Sequence, residues 1–239
     1  MALSFTWLGH STFIFESDNH KFMIDPFITN NPLIDMAVAD VDVAYILLTH
    51  AHGDHVGFTD DSPAGDTIAI AKNTGAKIIC NFEIGNWFMS KGGIPAEQIL
   101  QGNPGGTIRG DWMDVKFTQA FHSSSFGDGS YGGQPNGLII RIGGKTVYHA
   151  GDTNLFGDMA LIGEEGLTLA CLPIGDTYTM GVEDSVTATK LLRPQHVFPI
   201  HYNTWPPLVQ DVTAWAENIN RDTTAQPIVI DPGKTHTLE

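Results

Sequence analysis

The order of strand-like and helix-like segments predicts an α/β (α+β) fold in which two mixed β-sheets pack face to face with helices on the outer faces. Residues 3–25 hold three short strand patterns separated by turn-forming residues, which is typical of an antiparallel meander. Strand–helix units follow, and short strands return at residues 98–121 before further strand–helix units. No low-complexity tract or proline-rich linker interrupts the 239 residues, so we expect a single domain over residues 1–239.

The individual elements are predicted from apolar and β-branched runs, from apolar residues at helical spacing and from glycine or proline at the ends. The predicted strands cover residues 5–8, 12–16, 21–25, 43–48, 77–80, 114–121, 138–142, 146–149, 167–174, 196–200 and 227–230. The predicted helices cover residues 63–74, 82–90, 155–162, 182–192 and 209–219. The Ser- and Gly-rich stretch 123–135 is too long for a hairpin turn, so we expect a mobile lid there.

Charge and apolar content limit the classes of function. Twelve Lys and Arg against 27 Asp and Glu give a formal net charge of -15, and a field of this sign repels the phosphate backbone of nucleic acids. No apolar run approaches the ~20 residues of a membrane span. Cys80 and Cys171 lie in apolar stretches, so we expect buried, reduced thiols. We therefore expect a cytoplasmic protein that binds neither nucleic acid nor membrane, and we also expect a homo-oligomer.

A cluster of potential metal ligands follows the fourth predicted strand. Three histidines and one aspartate stand within six residues, at His50, His52, Asp54 and His55, and zinc prefers imidazole and carboxylate ligands. In an extended segment residues two apart point the same way, so His50 and His52 can bind one ion together. Asp54 and His55 follow Gly53, where the chain can turn and present them to a neighbouring position.

Three further potential ligands stand where later predicted strands end, at His122, Asp152 and His201. Strand ends along one edge of a sheet converge in space, and open sheets usually place their sites there. The seven ligands divide naturally between two ions. The first ion would be held by His50, His52 and His122, the second by Asp54, His55 and His201, and Asp152 could bridge them. Each ion then keeps a position open for water, as a catalytic site requires.

The stretch Thr-His-Ala-His-Gly-Asp-His at residues 49–55 resembles the HxHxDH signature of the metallo-β-lactamase superfamily. The three later ligands match the remaining ligand positions of that family in order. Flanking blocks resemble a group of small metal-dependent hydrolases akin to the ascorbate-phosphate lactonases; they lie at residues 7–11, 120–125, 148–153 and 199–204. The resemblance implies an αββα four-layer sandwich and two divalent metal ions, usually zinc, with manganese, nickel or iron as other candidates.

The ligand set implies a hydrolytic mechanism. Two ions ~3.5–4 Å apart can lower the pKa of a shared water to about 7, so that metal-bound hydroxide attacks a small-molecule ester, lactone or phosphoester. The ions stabilise the developing oxyanion, and Asp54, as the catalytic carboxylate, would orient the hydroxide or accept its proton.

Three alternatives remain open. The first is a phosphodiesterase or nuclease acting on nucleic acid, which the acidic charge balance disfavours. The second is an iron-dependent redox relative on the same fold; such relatives tend to have Glu in place of the second histidine, here His52. The third is a non-catalytic metal-binding module, which the complete ligand set disfavours.

Four further residues are weaker candidates for contact with the substrate or the ligands. His10, in the turn between the first two strands, could donate a hydrogen bond to a ligand or to the substrate. Asp176 stands where the resembling subgroup often has Gly, and it lies with Tyr178 in a polar loop that we expect to form a pocket wall. Asn203 adjoins a predicted ligand. We interpret His149 as a core histidine with satisfied hydrogen bonds rather than as a group that orients a ligand.

Overall fold

The structure is a computed structural model that describes residues 2–238. Two seven-stranded sheets pack face to face, and helices cover their outer faces. In each sheet an antiparallel half continues into a parallel half, so both sheets are mixed. The predicted fold class, an αββα four-layer sandwich, is confirmed. Within the described residues, no helix is long and apolar enough to cross a membrane.

The first sheet contains the early strands and the last one. They are β1 (Leu3–Trp7), β2 (Phe13–Ser17), β3 (His20–Ile24), β4 (Tyr45–Leu47), β5 (Lys77–Asn81), β6 (Ile99–Gly102) and β14 (Thr235–Leu238). Their spatial order is β14-β1-β2-β3-β4-β5-β6. Neighbours from β14 to β3 pair antiparallel, and those from β3 to β6 pair in parallel. Burial alternates along β1 and β2, so one face of each strand lies in the core.

The second sheet contains the strands of the later part of the chain. They are β7 (Thr107–Arg109), β8 (Met113–Gln119), β9 (Asn136–Ile142), β10 (Lys145–His149), β11 (Leu169–Pro173), β12 (His196–Ile200) and β13 (Gln226–Pro227). Their order is β13-β12-β11-β10-β9-β8-β7. The strand β11 is buried at every position, because it lies in the parallel half and is covered on both faces.

Six α-helices flank the two sheets in the described chain. They are α1 (Gly53–Val56), α2 (Gly65–Thr74), α3 (Phe82–Ser90), α4 (Met159–Gly163), α5 (Val182–Leu192) and α6 (Val212–Asp222). Side chains of α2 and α3 pack on the first sheet, and those of α4, α5 and α6 pack on the second. The two sheets meet through aromatic rings such as Phe5 and Phe198, whose centroids are 5.4 Å apart in an edge-to-face contact.

Most predicted boundaries lie within two residues of the observed ones, but three predicted elements differ by three or more residues at an end. The strand predicted at residues 227–230 is reduced to β13, because the pairing with β12 ends after the amides of Gln226 and Ile228 have donated to the carbonyls of Gln195 and Val197. Pro227 is tolerated there because its nitrogen lies on the outer edge of the sheet. The helix predicted at 155–162 is confined to α4, since Gly157 disfavours the helical conformation before it. The helix predicted at 209–219 begins only at α6, because the Asp211 carboxylate accepts hydrogen bonds from the first-turn amides and caps it there.

Candidate metal centre

The predicted ligand cluster lies between the end of β4 and α1. His52 directly precedes α1, and the single helical turn carries Asp54 and His55. The turn predicted at Gly53 is therefore present as the start of a helix. The helix ends at Gly57 with a φ of 72°, and a Cβ there would lie 2.4 Å from the carbonyl oxygen of Pro26. Only glycine fits this left-handed, crowded position.

The structure brings all seven predicted ligands together. Their potential ligand atoms form groups in which all members lie within 4.8 Å of one another. The groups are His50, His52 and His122; His10, Asp54, His55 and His201; and His50, His55 and Asp152. The first two groups match the predicted division between two ions, with His10 added to the second.

Asp152 lies between the two histidine groups. Its Oδ2 atom is 3.0 Å from Nε2 of His201, 3.5 Å from Nε2 of His122 and 4.0 Å from Nε2 of His50. Its Oδ1 atom is 3.3 Å from Nε2 of His55. This one carboxylate therefore reaches members of both groups, as a bridging ligand must.

The donor set fits ions of the zinc type. Two nitrogen or oxygen ligands about 2.0–2.1 Å from a tetrahedral zinc lie about 3.3 Å apart, and Nε2 of His50 is 3.0 Å from Nδ1 of His52. Nε2 of His55 and Oδ1 of Asp152 are buried and lack a hydrogen-bond partner in the described chain. A buried polar atom without a partner costs about 1–3 kcal/mol, and an ion would give both atoms one.

The histidines of the centre differ in their pKa values. Burial lowers the pKa of His50, and the neighbouring His55 adds to this effect. Burial also lowers the pKa values of His52 and His122, so these three rings are neutral at pH 7 and keep a lone pair for an ion. For His55, burial is outweighed by the carboxylates of Asp152 and Asp25, which raise its pKa above the ordinary value. The surroundings of His55 therefore favour a positive charge, which a bound metal ion would supply.

Both carboxylates of the centre are ionised. Burial opposes the charge of Asp152, but His201 and His55 hold its pKa well below the usual value. Burial also opposes the charge of Asp54, and the hydrogen bond from His10 together with the nearby His55 lowers its pKa in the same way. Ionised carboxylates are the form that binds a cation.

Asp25, which the sequence analysis missed, orients two of the histidines. Its buried carboxylate accepts hydrogen bonds from the amide nitrogen of Thr49 at 2.8 Å, from Oγ1 of Thr49 at 2.6 Å and from Nδ1 of His55 at 2.8 Å. Because the Thr49 hydroxyl donates to Asp25, its oxygen accepts from Nδ1 of His50 at 3.0 Å. The hydrogen therefore sits on Nδ1 of both rings, and Nε2 of each is left to face an ion. A carboxylate at the very end of a predicted strand was the signal that could have found Asp25.

His10 makes a hydrogen bond to the candidate ligand Asp54. Its Nε2 atom donates to Oδ2 of Asp54 at 3.1 Å, and its Nδ1 atom accepts from the hydroxyl of Thr204 at 2.7 Å. Burial, and after it the nearby His201, lowers the pKa of His10 to about 4, so the ring is neutral and each nitrogen has one defined role. The ionised Asp54 carboxylate can only accept, so it fixes this tautomer, and the Thr204 hydroxyl donates to the remaining lone pair. The role of Thr204 was also missed from the sequence.

His149 is a buried core histidine, as interpreted from the sequence. Its Nε2 atom donates to the carbonyl of Ser11 at 3.1 Å, and its Nδ1 atom accepts from the amide of Gly151 at 3.2 Å. Both ring nitrogens are thus used within the core.

A cavity of about 470 Å³ opens above the metal centre. Its walls include His52, Asp54, His122, Asp152 and His201 from the predicted ligand set, and Tyr178, Trp205 and residues 123 and 125–127 from the surrounding loops. Tyr178 therefore lies where the sequence analysis expected it, at the pocket wall. The stretch 123–135 forms part of this wall and is anchored by Phe126, which stacks on Trp87 with 4.1 Å between the ring centroids. Its mobility stays a prediction.

Asp176 and Asn203 do not line this cavity in the described structure. Both adopt left-handed backbone conformations, with φ angles of 69° and 56°. Oδ1 of Asn203 accepts a hydrogen bond from the amide of Gln210 at 2.8 Å, which holds that side chain in its own loop. The positive φ of Asp176 is the conformation that glycine adopts without strain.

Comparison with known proteins agrees with this geometry. The family model described as "Beta-lactamase superfamily domain" matches residues 4–201. A UPF0173 metal-dependent hydrolase of Thermus thermophilus is 45% identical over 98% of this chain and 98% of its own length, and a relative with the same description in Methanosarcina mazei is 40% identical over 99% of both chains.

Among solved structures, Igni18, a metallo hydrolase of Ignicoccus hospitalis, is 38% identical with a TM-score of 0.87. That similarity covers 100% of this chain and 99% of the other. Together with the ligand cluster at the ends of the strands, these similarities show both the family and the class of activity. The chain belongs to the metallo-β-lactamase superfamily, and it is a metal-dependent hydrolase.

Proposed function

We propose that the protein binds two divalent ions, in the first instance zinc, and hydrolyses a small-molecule ester, lactone or phosphoester. The observation that carries this proposal is the position of Asp152, whose oxygens lie 3.0–3.5 Å from imidazole nitrogens of both ligand groups. A carboxylate so placed can ligate two ions at once. In this proposal His50, His52 and His122 hold one ion, Asp54, His55 and His201 hold the other, and Asp152 bridges them.

The side chains around the ions define what the protein contributes to the reaction. When bound, the two ions would lower the pKa of a water to about 7 and stabilise the negative charge that develops on the substrate oxygen. Asp54 borders the cavity and is held by the 3.1 Å hydrogen bond from His10. Because the pKa of Asp54 is held below its usual value, its carboxylate is a weak base. Its environment therefore favours orientation of the attacking water over acceptance of its proton.

The cavity favours a small molecule over nucleic acid. Its volume of about 470 Å³ lies within the ~300–1,000 Å³ range of small-molecule sites. The residues that line it include neither Lys nor Arg, although nucleic-acid binding depends on such groups for phosphate contacts. The free and buried thiols of Cys80 and Cys171 accord with a reducing compartment such as the cytoplasm.

Metal analysis combined with a hydrolysis screen tests the proposal. The purified protein should contain two zinc equivalents per chain and should hydrolyse at least one class among lactones, phosphodiesters and thioesters. Replacement of His52 by Ala should remove one zinc equivalent and the activity together. Retained activity in a metal-stripped protein would contradict the proposal, and an absorption spectrum of bound iron would favour the redox alternative instead.

A further inference from the structure

A second cavity, here named the side chamber, opens beside the metal centre. It has a volume of about 650 Å³ and is lined by residues 58–63, by Gly127 and Asp128, and by groups that it shares with the metal-centre cavity. The shared residues are Gly53, Asp54, Gly127 and Trp205. A substrate whose scissile bond lies at the ions can therefore extend its remaining part into the side chamber.

Aromatic rings form the apolar wall of the side chamber. Phe58 is 37% exposed, and it stacks on buried Phe27 with 5.8 Å between the centroids. The Trp205 ring lies 5.8 Å from the same Phe27 ring and 5.2 Å from the ring of His10. The two rings that border the chamber are thus held in place from behind, and their outer surfaces are available to an apolar or cationic group.

Carboxylates form the polar wall of the side chamber. Asp60 and Asp61 are exposed at the tip of the tight turn in which Thr59 and Ser62 exchange backbone hydrogen bonds. Neither has an ion-pair partner among residues 2–238, whereas Asp128 is paired with Lys91 at 2.9 Å. The lining residues of both cavities include neither Lys nor Arg. An anionic group in this chamber would meet the charges of Asp60 and Asp61, which no Lys or Arg among the described residues pairs with.

We propose that the side chamber selects substrates whose part remote from the scissile bond is apolar and positively charged, such as an alkylammonium group. Indole and phenyl rings attract such cations through their faces, and the two unpaired carboxylates add a favourable field. This inference rests on the proposed hydrolytic function, because it assigns the reacting bond to the metal centre. It excludes substrates that place a phosphate or carboxylate in the chamber.

Three matched esters test this preference. They are 4-nitrophenyl esters whose acyl chains have the same length and end in trimethylammonium, in tert-butyl or in carboxylate. With the zinc-loaded protein, kcat/KM should fall about tenfold from the cationic to the neutral ester and again to the anionic ester. Equal kcat/KM for the cationic and the neutral ester would overturn the proposal.

A double variant assigns the preference to the side chamber. Asp60→Asn with Asp61→Asn should reduce the ratio of cationic to anionic kcat/KM at least fivefold, mainly through KM, and leave the neutral ester almost unchanged. The control, Asp18→Asn with Asp42→Asn, changes the net charge equally, but these exposed residues lie at the opposite end of the first sheet. The control should keep the wild-type ratio; an equal loss in both variants would contradict the assignment.

Calorimetry with phenyltrimethylammonium separates this inference from the proposed function. If none of the esters is hydrolysed, the hydrolytic proposal fails for esters. Weaker binding of phenyltrimethylammonium to the Asp60/Asp61 variant than to wild type would still support cation selection by the side chamber. Equal binding to both proteins would contradict this selection.

The salt dependence of the wild-type protein provides a test that does not need the variant to fold. The ratio of cationic to anionic kcat/KM should fall when the salt concentration rises from 0.05 to about 0.5 M, because salt screens exposed charges. A constant ratio would contradict the proposal.

Discussion

The two groups of candidate ligands differ in how many of their side chains are held by hydrogen bonds to buried partners. In the inner group, defined as Asp54, His55 and His201, the first two residues are each fixed by a buried partner, Asp25 for His55 and His10 for Asp54. In the outer group, defined as His50, His52 and His122, only His50 has comparable support, through Thr49.

His52 and His122 are partly exposed, and the contact of His52 with the Ser123 hydroxyl is long, at 3.4 Å. Partners of ligands set ligand orientation and typically change metal affinity 10–100-fold. The inner position should therefore hold its ion more tightly than the outer one. If two ions bind as proposed, the site would combine a tightly held ion with a more exchangeable one.

Replacing Asp152 by Ala removes the group common to both positions and should have the largest effect. We expect both zinc ions to be lost and hydrolysis to fall by about a thousandfold or more, because the ions supply several kcal/mol of transition-state stabilisation. Zinc content and kcat/KM measure the two effects. Asp42→Ala, on the exposed surface, serves as control. A variant that keeps two zinc ions would show that Asp152 is not the bridge.

Replacing Asp25 by Asn should separate the two positions. Asn has one acceptor oxygen in place of two, so its NH2 group would face at least one of the donors on Thr49 and His55 that the carboxylate accepts from. The inner position should therefore lose about 10–100-fold in zinc affinity. Asp25 acts on the outer position only through Thr49 and His50, so the zinc affinity of that position should fall less. Stepwise competition with a zinc chelator measures both constants. A larger loss of zinc affinity at the outer position than at the inner one would contradict the stronger support of the inner position.

Replacing His10 by Phe tests the support of Asp54. Phe keeps the ring among Phe27 and Trp205 but removes the hydrogen bond to the carboxylate, and a hydrogen bond to a charged group contributes about 1.5–3 kcal/mol. At saturating zinc we expect kcat to fall about tenfold while KM and both zinc equivalents are kept, and we expect the zinc affinity of the inner position to fall about tenfold. A single zinc equivalent even at saturating zinc would instead make His10 a ligand.

Replacing Ser123 by Ala should have the smallest effect. The contact between its hydroxyl and His52 is long and exposed, and such contacts are weak. We expect kcat/KM and zinc affinity at the outer position to change less than about twofold. A tenfold change would show that the outer group is supported as firmly as the inner one.

The convergence of the seven candidate ligands could be predicted from the sequence because each follows a predicted strand. Of the residues that support them, His10 was predicted, but Thr204 was not, because it lies 194 residues along the chain from His10, the group that it contacts. Asp25, 30 residues from His55, was also missed, and its place at the end of a predicted strand was the one local signal for it. Adjacency in sequence was also misleading, because Asn203 stands two residues from His201 but has a left-handed backbone, and its side chain accepts a hydrogen bond from Gln210 within its own loop instead of facing the cavity.

The two sheets were predicted because strand periodicity and turn residues are local signals. Two of the boundary differences fall where a single residue overrides the apolar pattern, as Gly157 does before α4 and Asp211 does at α6. The pairing of the last strand, β14, with β1 also depends on contacts between the chain ends, and no local pattern specifies it.

Each proposed ion takes ligands from both sheets. Residues 50–55 follow β4 of the first sheet, whereas His122, Asp152 and His201 follow β8, β10 and β12 of the second. Bound ions would therefore act as cross-links between the two halves of the chain, and loading would be coupled to folding. A ligand that binds only the folded state at 100 times its Kd adds about 2.7 kcal/mol to the free energy of unfolding. Neither half contains a complete site, so the metal-loaded molecule should unfold as one cooperative unit.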